Sequence, residues 1–182
     1  ARLMREIEIA RGGFTVFARV LGDARAPALL YLQGGPGFPA PRQRFEWVSH
    51  ALERGYQVVL LDQRGTGRST RIDSATPELI RTDVLASLRA DEIVADAEAL
   101  REEMGLDRWD VLGQSFGGFC LMHYLAAHPD SVGRALFTGG VPSIGEGADE
   151  VYRATFAKLK RRHLQFNEAY PAAEAMVREV CR

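Results

Sequence analysis

Trp109-Asp110-Val111-Leu112-Gly113-Gln114-Ser115-Phe116-Gly117-Gly118 runs directly into Phe119-Cys120-Leu121-Met122-His123-Tyr124. The stretch reads as a short buried strand that turns sharply into a helix. At the corner stands Gly113-x-Ser115-x-Gly117, the G-x-S-x-G spacing of a nucleophile elbow. Such a turn forces the corner residue into a strained backbone conformation and projects its side chain into the open. Neighbouring chain then passes so close that the positions two residues to either side must lack bulk, hence Gly113 and Gly117. The serine is left at a helix N-terminus, where unpaired N–H groups and the helix dipole favour developing negative charge. The alternative is a glycine-rich turn that merely contains serine. The flanking strand and apolar helix are the context that the elbow requires, and both are here.

Working back towards the N-terminus, Ile7 to Ala10 and Phe14 to Leu21 flank Arg11-Gly12-Gly13 and predict a two-stranded hairpin. Ala28 to Leu32 is a continuous apolar run, as expected of a strand covered on both faces, and it ends in Gln33-Gly34-Gly35-Pro36-Gly37. A helix with Phe45, Val48 and Leu52 on one face follows and stops at Gly55. Tyr56 to Leu61 is a second buried strand, running into the polar loop Asp62-Gln63-Arg64-Gly65-Thr66-Gly67-Arg68-Ser69. Residues 70–88 lack a pattern and read as a surface excursion. Beyond them Ile93, Ala97, Leu100 and Met104 stripe a helix that opens on acidic Asp91 and Glu92 and ends at Gly105.

Downstream of the elbow, its helix runs to about Ala127, and Val132 to Thr138 is one more short strand. Strands alternating with helices predict a mostly parallel sheet with helices on both faces. The loops 33–37, 62–69 and 113–117 all follow strands, so they converge at the carboxyl edge, where such sheets bind ligands. After Gly140 the chain turns linker-like and then helical. Tyr152, Phe156, Leu159, His163 and Phe166 mark one face, and Ala173, Met176, Val177 and Val180 mark another that Pro171 opens. This divides the chain into a core at 1–141 and a helical segment at 142–182.

With 46% hydrophobic and 26% charged residues, the 182-residue chain has enough apolar content for a buried core. A net charge of −1 excludes a long-range pull towards nucleic acid or anionic membrane. Cys120 and Cys181 form neither a disulfide framework nor metal-ligand spacing, and Cys120 reads as a small buried hydrophobe. No apolar run reaches the length of a membrane span, and the start has no signal-peptide core, so the expected location is cytoplasmic. Lys158, Lys160, Arg161 and Arg162 read as a solvated helix face rather than an anion-binding patch.

The loops 33–37, 62–69 and 113–118, in this order and spacing, resemble the proline iminopeptidase branch of the α/β-hydrolase superfamily. The resemblance covers about residues 5–145 and extends loosely into the helical tail. Many members have His at the position of Gln33 and Trp at that of Phe116. The resemblance implies an α/β-hydrolase fold with an N-terminal antiparallel hairpin and the beginning of a helical cap. It further implies a serine peptidase that releases an N-terminal residue, typically proline, from small peptides with a free N-terminus, without metal or cofactor.

In that chemistry Ser115 attacks the carbonyl carbon and forms an acyl-enzyme. The oxyanion takes the N–H of Phe116 and an amide of the 33–37 loop, with Gly35 ahead of Gly34 because missing side chains let that backbone approach. Asp62 and Arg64 read as structural, bracing the site floor through a buried pair. A base and an orienting carboxylate follow the serine in this fold. His123 and His128 lie on or just after the elbow helix and lead away from Ser115, and His163 belongs to the helical tail. The triad Asp and His are therefore expected outside this chain, which reads as the N-terminal part of a longer protein, inactive without the rest. The substrate ammonium group needs a carboxylate, and Glu146, Asp149, Glu150, Glu168 and Glu174 are available. An esterase or amidase on the same scaffold is the alternative enzyme, and a non-catalytic binding module is the alternative from another class. Dehalogenase and epoxide-hydrolase relatives carry Asp at the elbow.

Overall fold

A computed structural model describes residues 4–43, 45–140 and 147–180, the side chains of Ala148 and Glu174 excepted. Two compact units emerge, Ala1–Val141 and Pro142–Arg182. The first is built on a six-stranded sheet in the order β1-β2-β4-β3-β5-β6.

Strands β1 (Met4–Arg11) and β2 (Phe14–Leu21) form the expected hairpin, closing at the pair Arg11↔Phe14. Gly12 and Gly13 both take positive φ, +57° and +82°, as the tightest hairpin turns demand. β2 then pairs antiparallel with β4 (Gln57–Asp62), which runs parallel to β3 (Ala28–Leu32). Every residue of β3 and β4 is buried, which is why 28–32 and 58–61 read as unbroken apolar runs, while the polar ends of β4, Gln57 and Asp62, are buried with hydrogen-bond partners. β5 (Trp109–Gln114) lies on the other side of β3, with Leu32↔Gly113 in register, and β6 (Val132–Thr138) follows it in parallel. The chain therefore steps from β3 to β4 in one direction and crosses back over β3 to reach β5. That reversal opens a crevice at the carboxyl ends of β3 and β5.

Alternation along the strands divides the core into two layers. Leu30, Leu32, Val59, Leu61 and Val111 pack against α3 (Ala90–Glu103) and α4 (Phe116–Ala127) through Ile93, Val94, Ala97, Leu100, Cys120, Leu121 and Tyr124. Leu29, Tyr31, Val58 and Leu60 face the opposite side, against Val48 and Ala51 of α1 (Glu46–Glu53). Phe45 stands at the N-cap of α1 and is exposed, while Ala51 joins Val48 and the partly buried Leu52 on the covered face. The 70–88 excursion contains a 3₁₀ turn at Pro77–Leu79 and the short helix α2 (Thr82–Ala86).

The second unit contains two helices, α5 (Ala148–Ala169) and α6 (Ala173–Val180), joined by a turn at 170–172. The latter opens two residues later than Pro171 suggests, because residues 171–172 still belong to the turn. Phe166, Tyr170, Met176 and Val177 line an open groove of about 560 Å³ where the chain turns from α5 into α6. Lys158, Lys160, Arg161 and Arg162 are exposed, as expected of a solvated face. Among the described residues no helix is long and apolar enough to cross a membrane, and no group of His, Cys, Asp and Glu could hold a metal ion.

Candidate active site

Ser115 is exposed at the corner between β5 and α4, with φ +51° and ψ −116°. Among the described residues it is the sole non-glycine with positive φ. A conformation of this kind costs about 1–3 kcal/mol and persists only where its surroundings over-determine it. Here they do. The Ser115 N–H donates to the Thr138 carbonyl of β6 at 2.9 Å, and its own carbonyl accepts the Gly118 N–H at 2.9 Å. A Cβ on Gly117 would lie 1.9 Å from the Leu32 carbonyl oxygen, and one on Gly113 would lie 2.6 Å from that of Gly117. The elbow is thus wedged between the end of β3 and the end of β6. Gly140, past β6, closes the wedge, since a Cβ there would lie 2.7 Å from Ser115 Cα.

Phe116 and Gly117 begin α4, and N–H groups in a first helical turn have no intrahelical acceptor. The Gln33–Gly37 loop comes up beside them. Gly34 is the glycine that lies against the serine: a Cβ there would be 3.1 Å from Ser115 Cβ. At Gly35 a Cβ would meet only Gly37 and Phe38, and what requires glycine there is φ +134°. The close-approach argument made for Gly35 therefore belongs to Gly34. Buried Gln33 ties the loop to itself, donating from Nε2 to the Phe38 carbonyl at 3.1 Å, while its backbone carbonyl accepts from Gln63 Nε2 at 3.3 Å.

Asp62 and Arg64 are both buried, yet they do not pair with each other. Alternation along β4 puts Asp62 on the α1 side with Val58 and Leu60, where its carboxylate meets Arg42 and the Ala40 N–H. The turn at Gln63 carries Arg64 over to the α3 side. There its guanidinium donates to Asp96 at 2.6 and 2.8 Å, approaches Glu92 at 3.3 Å and lies 4.7 Å from the Phe14 ring. Arg42 and Asp96 were invisible as partners because they stand 20 and 32 residues away in sequence. A second buried carboxylate on α3, Glu98, accepts from Tyr124 and from Arg101 at 2.8 and 3.0 Å. Burial alone would raise its pKa, but hydrogen bonds from Arg101, Tyr124 and Ser131 outweigh it and bring the carboxyl down to about 2. The Tyr124 hydroxyl is raised by the same burial and by Glu98. Trp109 Nε1 of β5 donates to the same Tyr124 hydroxyl at 3.0 Å, so the cluster braces α3, α4 and β5 together at the end of β5 away from the serine.

In the first unit no histidine accompanies Ser115. His50 lies on α1 beside Glu46, His123 is exposed on α4, and His128 sits past the far end of α4, 3.9 Å from Glu98. Among the described residues Ser115 Oγ makes no hydrogen bond to a side chain. On the α1 side of the elbow, Tyr31, Phe45, Trp47, Leu112, Gln114 and Thr138 line a cleft of about 410 Å³, with Gln114 hydrogen-bonded to the Tyr31 hydroxyl. Of the carboxylates considered for a substrate amine, Asp149, Glu150 and Glu168 are on α5 in the second unit. Glu146 and the Glu174 side chain lie outside the described residues, as does Cys181.

Comparisons of three kinds relate the chain to known proteins. A family model for the alpha/beta hydrolase fold matches residues 27–175. A proline iminopeptidase of Aeromonas sobria is 46% identical over 177 residues, which cover 89% of this chain and 41% of that protein. A proline iminopeptidase of Aspergillus aculeatus is 35% identical over 94% of this chain and 42% of its own length. The chain thus spans about two-fifths of the curated relatives it matches. Among solved structures, a proline iminopeptidase-related protein from Thermus thermophilus aligns with TM-score 0.56 and 27% identity, over 74% of this chain and 44% of that one. A thioesterase domain from the curacin biosynthetic pathway shares the fold alone, with TM-score 0.62 and 16% identity over 93% of this chain and 63% of that one.

Proposed function

The chain belongs to the α/β-hydrolase fold family, and from that premise we propose that the protein carrying it is a serine aminopeptidase releasing an N-terminal residue, preferentially proline, from small peptides. One observation supports this reading above the others: Ser115 is held strained and exposed at a helix N-terminus, with a glycine loop lying against it. The relatives named proline iminopeptidase support the substrate class.

Ser115 Oγ attacks the carbonyl carbon of the N-terminal residue, and the carbonyl oxygen becomes an oxyanion. The Phe116 N–H and an amide of Gly34–Gly35 receive that charge, each such donor being worth about 10²–10³ in turnover. The leaving amine departs with a proton, and water then hydrolyses the acyl-enzyme. The base that takes the serine proton, and the carboxylate that orients it, come from outside these 182 residues. Residues 1–141 form the nucleophile-bearing part of the core, and helices α5 and α6 begin a cap whose carboxylates include candidates for the substrate ammonium group.

The test is hydrolysis of prolyl amides by the protein that carries this chain, with Ser115→Ala as comparison. Release of proline that disappears in the variant is the expected result. Cleavage of simple esters with prolyl amides untouched would replace the aminopeptidase with an esterase on the same nucleophile.

A further inference from the structure

The Asp62 carboxylate takes no part in the steps above, yet two loops of the site hang from it. It is fully buried at the end of β4. Its Oδ1 accepts the Ala40 N–H at 2.9 Å, and its Oδ2 accepts the Arg68 N–H at 2.8 Å and pairs with the Arg42 guanidinium. The Asp62 carbonyl accepts the Ser69 hydroxyl at 2.6 Å. Gly67 leaves room for the carboxylate, since a Cβ there would lie 2.1 Å from Oδ2. One anion therefore gathers donors from the 38–42 segment and from the 67–69 turn.

The 38–42 segment is the far end of the loop whose near end is Gly34, in contact with Ser115. Gln33 closes that loop by donating to the Phe38 carbonyl, so only Pro39 lies between the closure and Ala40. Where Ala40 is held fixes where Gly34 and Gly35 can stand. We propose that Asp62 is a positioning residue for the proposed reaction: it sets the distance of the Gly34–Gly35 amides from Ser115, and with it the site's preference for a tetrahedral oxyanion over the ground state. This rests on the reading of Ser115 as nucleophile and of the 34–35 segment as an oxyanion loop. The physical basis is preorganisation. Oxyanion donors act only when already aimed at the charge, and a displacement of about 1 Å costs on the order of 10²-fold. Bonds to an ionised acceptor are about twice as strong as neutral ones, which suits them to fixing a glycine-rich loop. For stability alone, a buried ion pair has little advantage over well-packed apolar side chains.

The experiment compares Asp62→Asn with Glu98→Gln in the protein that carries this chain. Both substitutions neutralise a buried carboxylate, but Glu98 contacts neither loop. The readouts are kcat and KM on a prolyl amide, inhibition by pyrrolidine-2-boronic acid (which forms a tetrahedral adduct with a serine), inhibition by proline, and the melting temperature. Asp62→Asn is expected to lower kcat and boronate affinity together, by about 10–100-fold, with KM and proline inhibition within about threefold. Glu98→Gln is expected to lower the melting temperature with kcat and boronate affinity within about threefold. Asp62→Asn that melts lower but leaves kcat and boronate affinity in place would overturn the proposal. If that variant does not fold, Arg42→Ala removes only the half-exposed partner. It should shift the same two readouts by about three- to tenfold, and no shift would overturn the proposal equally. An unsubstituted protein whose Ser115 is not labelled by a fluorophosphonate would overturn the nucleophile reading and this one with it. Normal labelling with unmoved ratios would overturn this one alone.

Discussion

Gly117→Ala puts the elbow's packing to its most exacting test. A Cβ at this position would stand 1.9 Å from the Leu32 carbonyl oxygen, 2.5 Å from the Leu32 carbonyl carbon and 3.0 Å from the Gln33 carbonyl oxygen. Ordinary contact begins near 3.4 Å, so the start of α4 and the end of β3 must separate by roughly 1.5 Å. Neither side yields easily. Leu32 is paired with Gly113 of β5 inside a fully buried strand, and α4 is anchored through the Ser115–Thr138 hydrogen bond. Overpacking typically costs about 1–3 kcal/mol, and an obstruction made of backbone belongs at the upper end. The same retreat displaces Ser115 from the Gly34 loop by about an ångström, a misplacement worth on the order of 10² in rate. The assay is denaturant unfolding together with the rate of fluorophosphonate labelling at Ser115, in the protein that carries this chain. A midpoint loss equivalent to about 3 kcal/mol with labelling slowed about 100-fold is expected. Stability and labelling both within about twofold of the parent would refute the wedge as the reason for glycine here.

Three further outcomes follow from the buried polar groups. The Glu98 carboxyl, lowered from 4.5 to about 2, contributes stability that is fully present above pH 4.5 and is lost as pH falls through about 2, amounting to about 3 kcal/mol at most; acid titration of the unfolding midpoint should show that loss, and Glu98→Gln should abolish it. Asp96→Ala leaves Arg64 buried without its main acceptor and removes one partner of Arg11, so unfolding should become easier by about 3–5 kcal/mol; calorimetry or urea titration measures it. Burial pushes the Cys120 thiol up to about 12, so iodoacetamide at neutral pH should modify the Cys120 peptide only in denaturant, and rapid native modification would contradict the packing of α4 on β3.

Sequence reading reached furthest where structure depends on neighbours along the chain. The runs at 28–32 and 58–61 announce buried strands because burial on both faces leaves no polar position within them. The three glycine-bearing loops announce a site because all follow strands of one direction. Long-range pairing was not legible. Asp62 and Arg64 stand two residues apart and invite a mutual ion pair, but β4 ends at Asp62 and the turn at Gln63 carries Arg64 to the other face, so they go to Arg42 and Asp96 respectively. Likewise the apolar stripe of α3 hid two buried carboxylates, because Arg64 and Tyr124 stand 32 and 26 residues away. Which of Gly34 and Gly35 lies against the serine was likewise not legible, because that contact is made across the sheet's crevice.

The most direct test of the central claim is reaction of the protein that carries this chain with a fluorophosphonate, followed by mapping of the modified peptide. One phosphonyl group on Ser115, with labelling lost in Ser115→Ala, is the result that the account predicts. A protein that cleaves its substrate while Ser115 stays unmodified, or that is labelled on another residue, would contradict it.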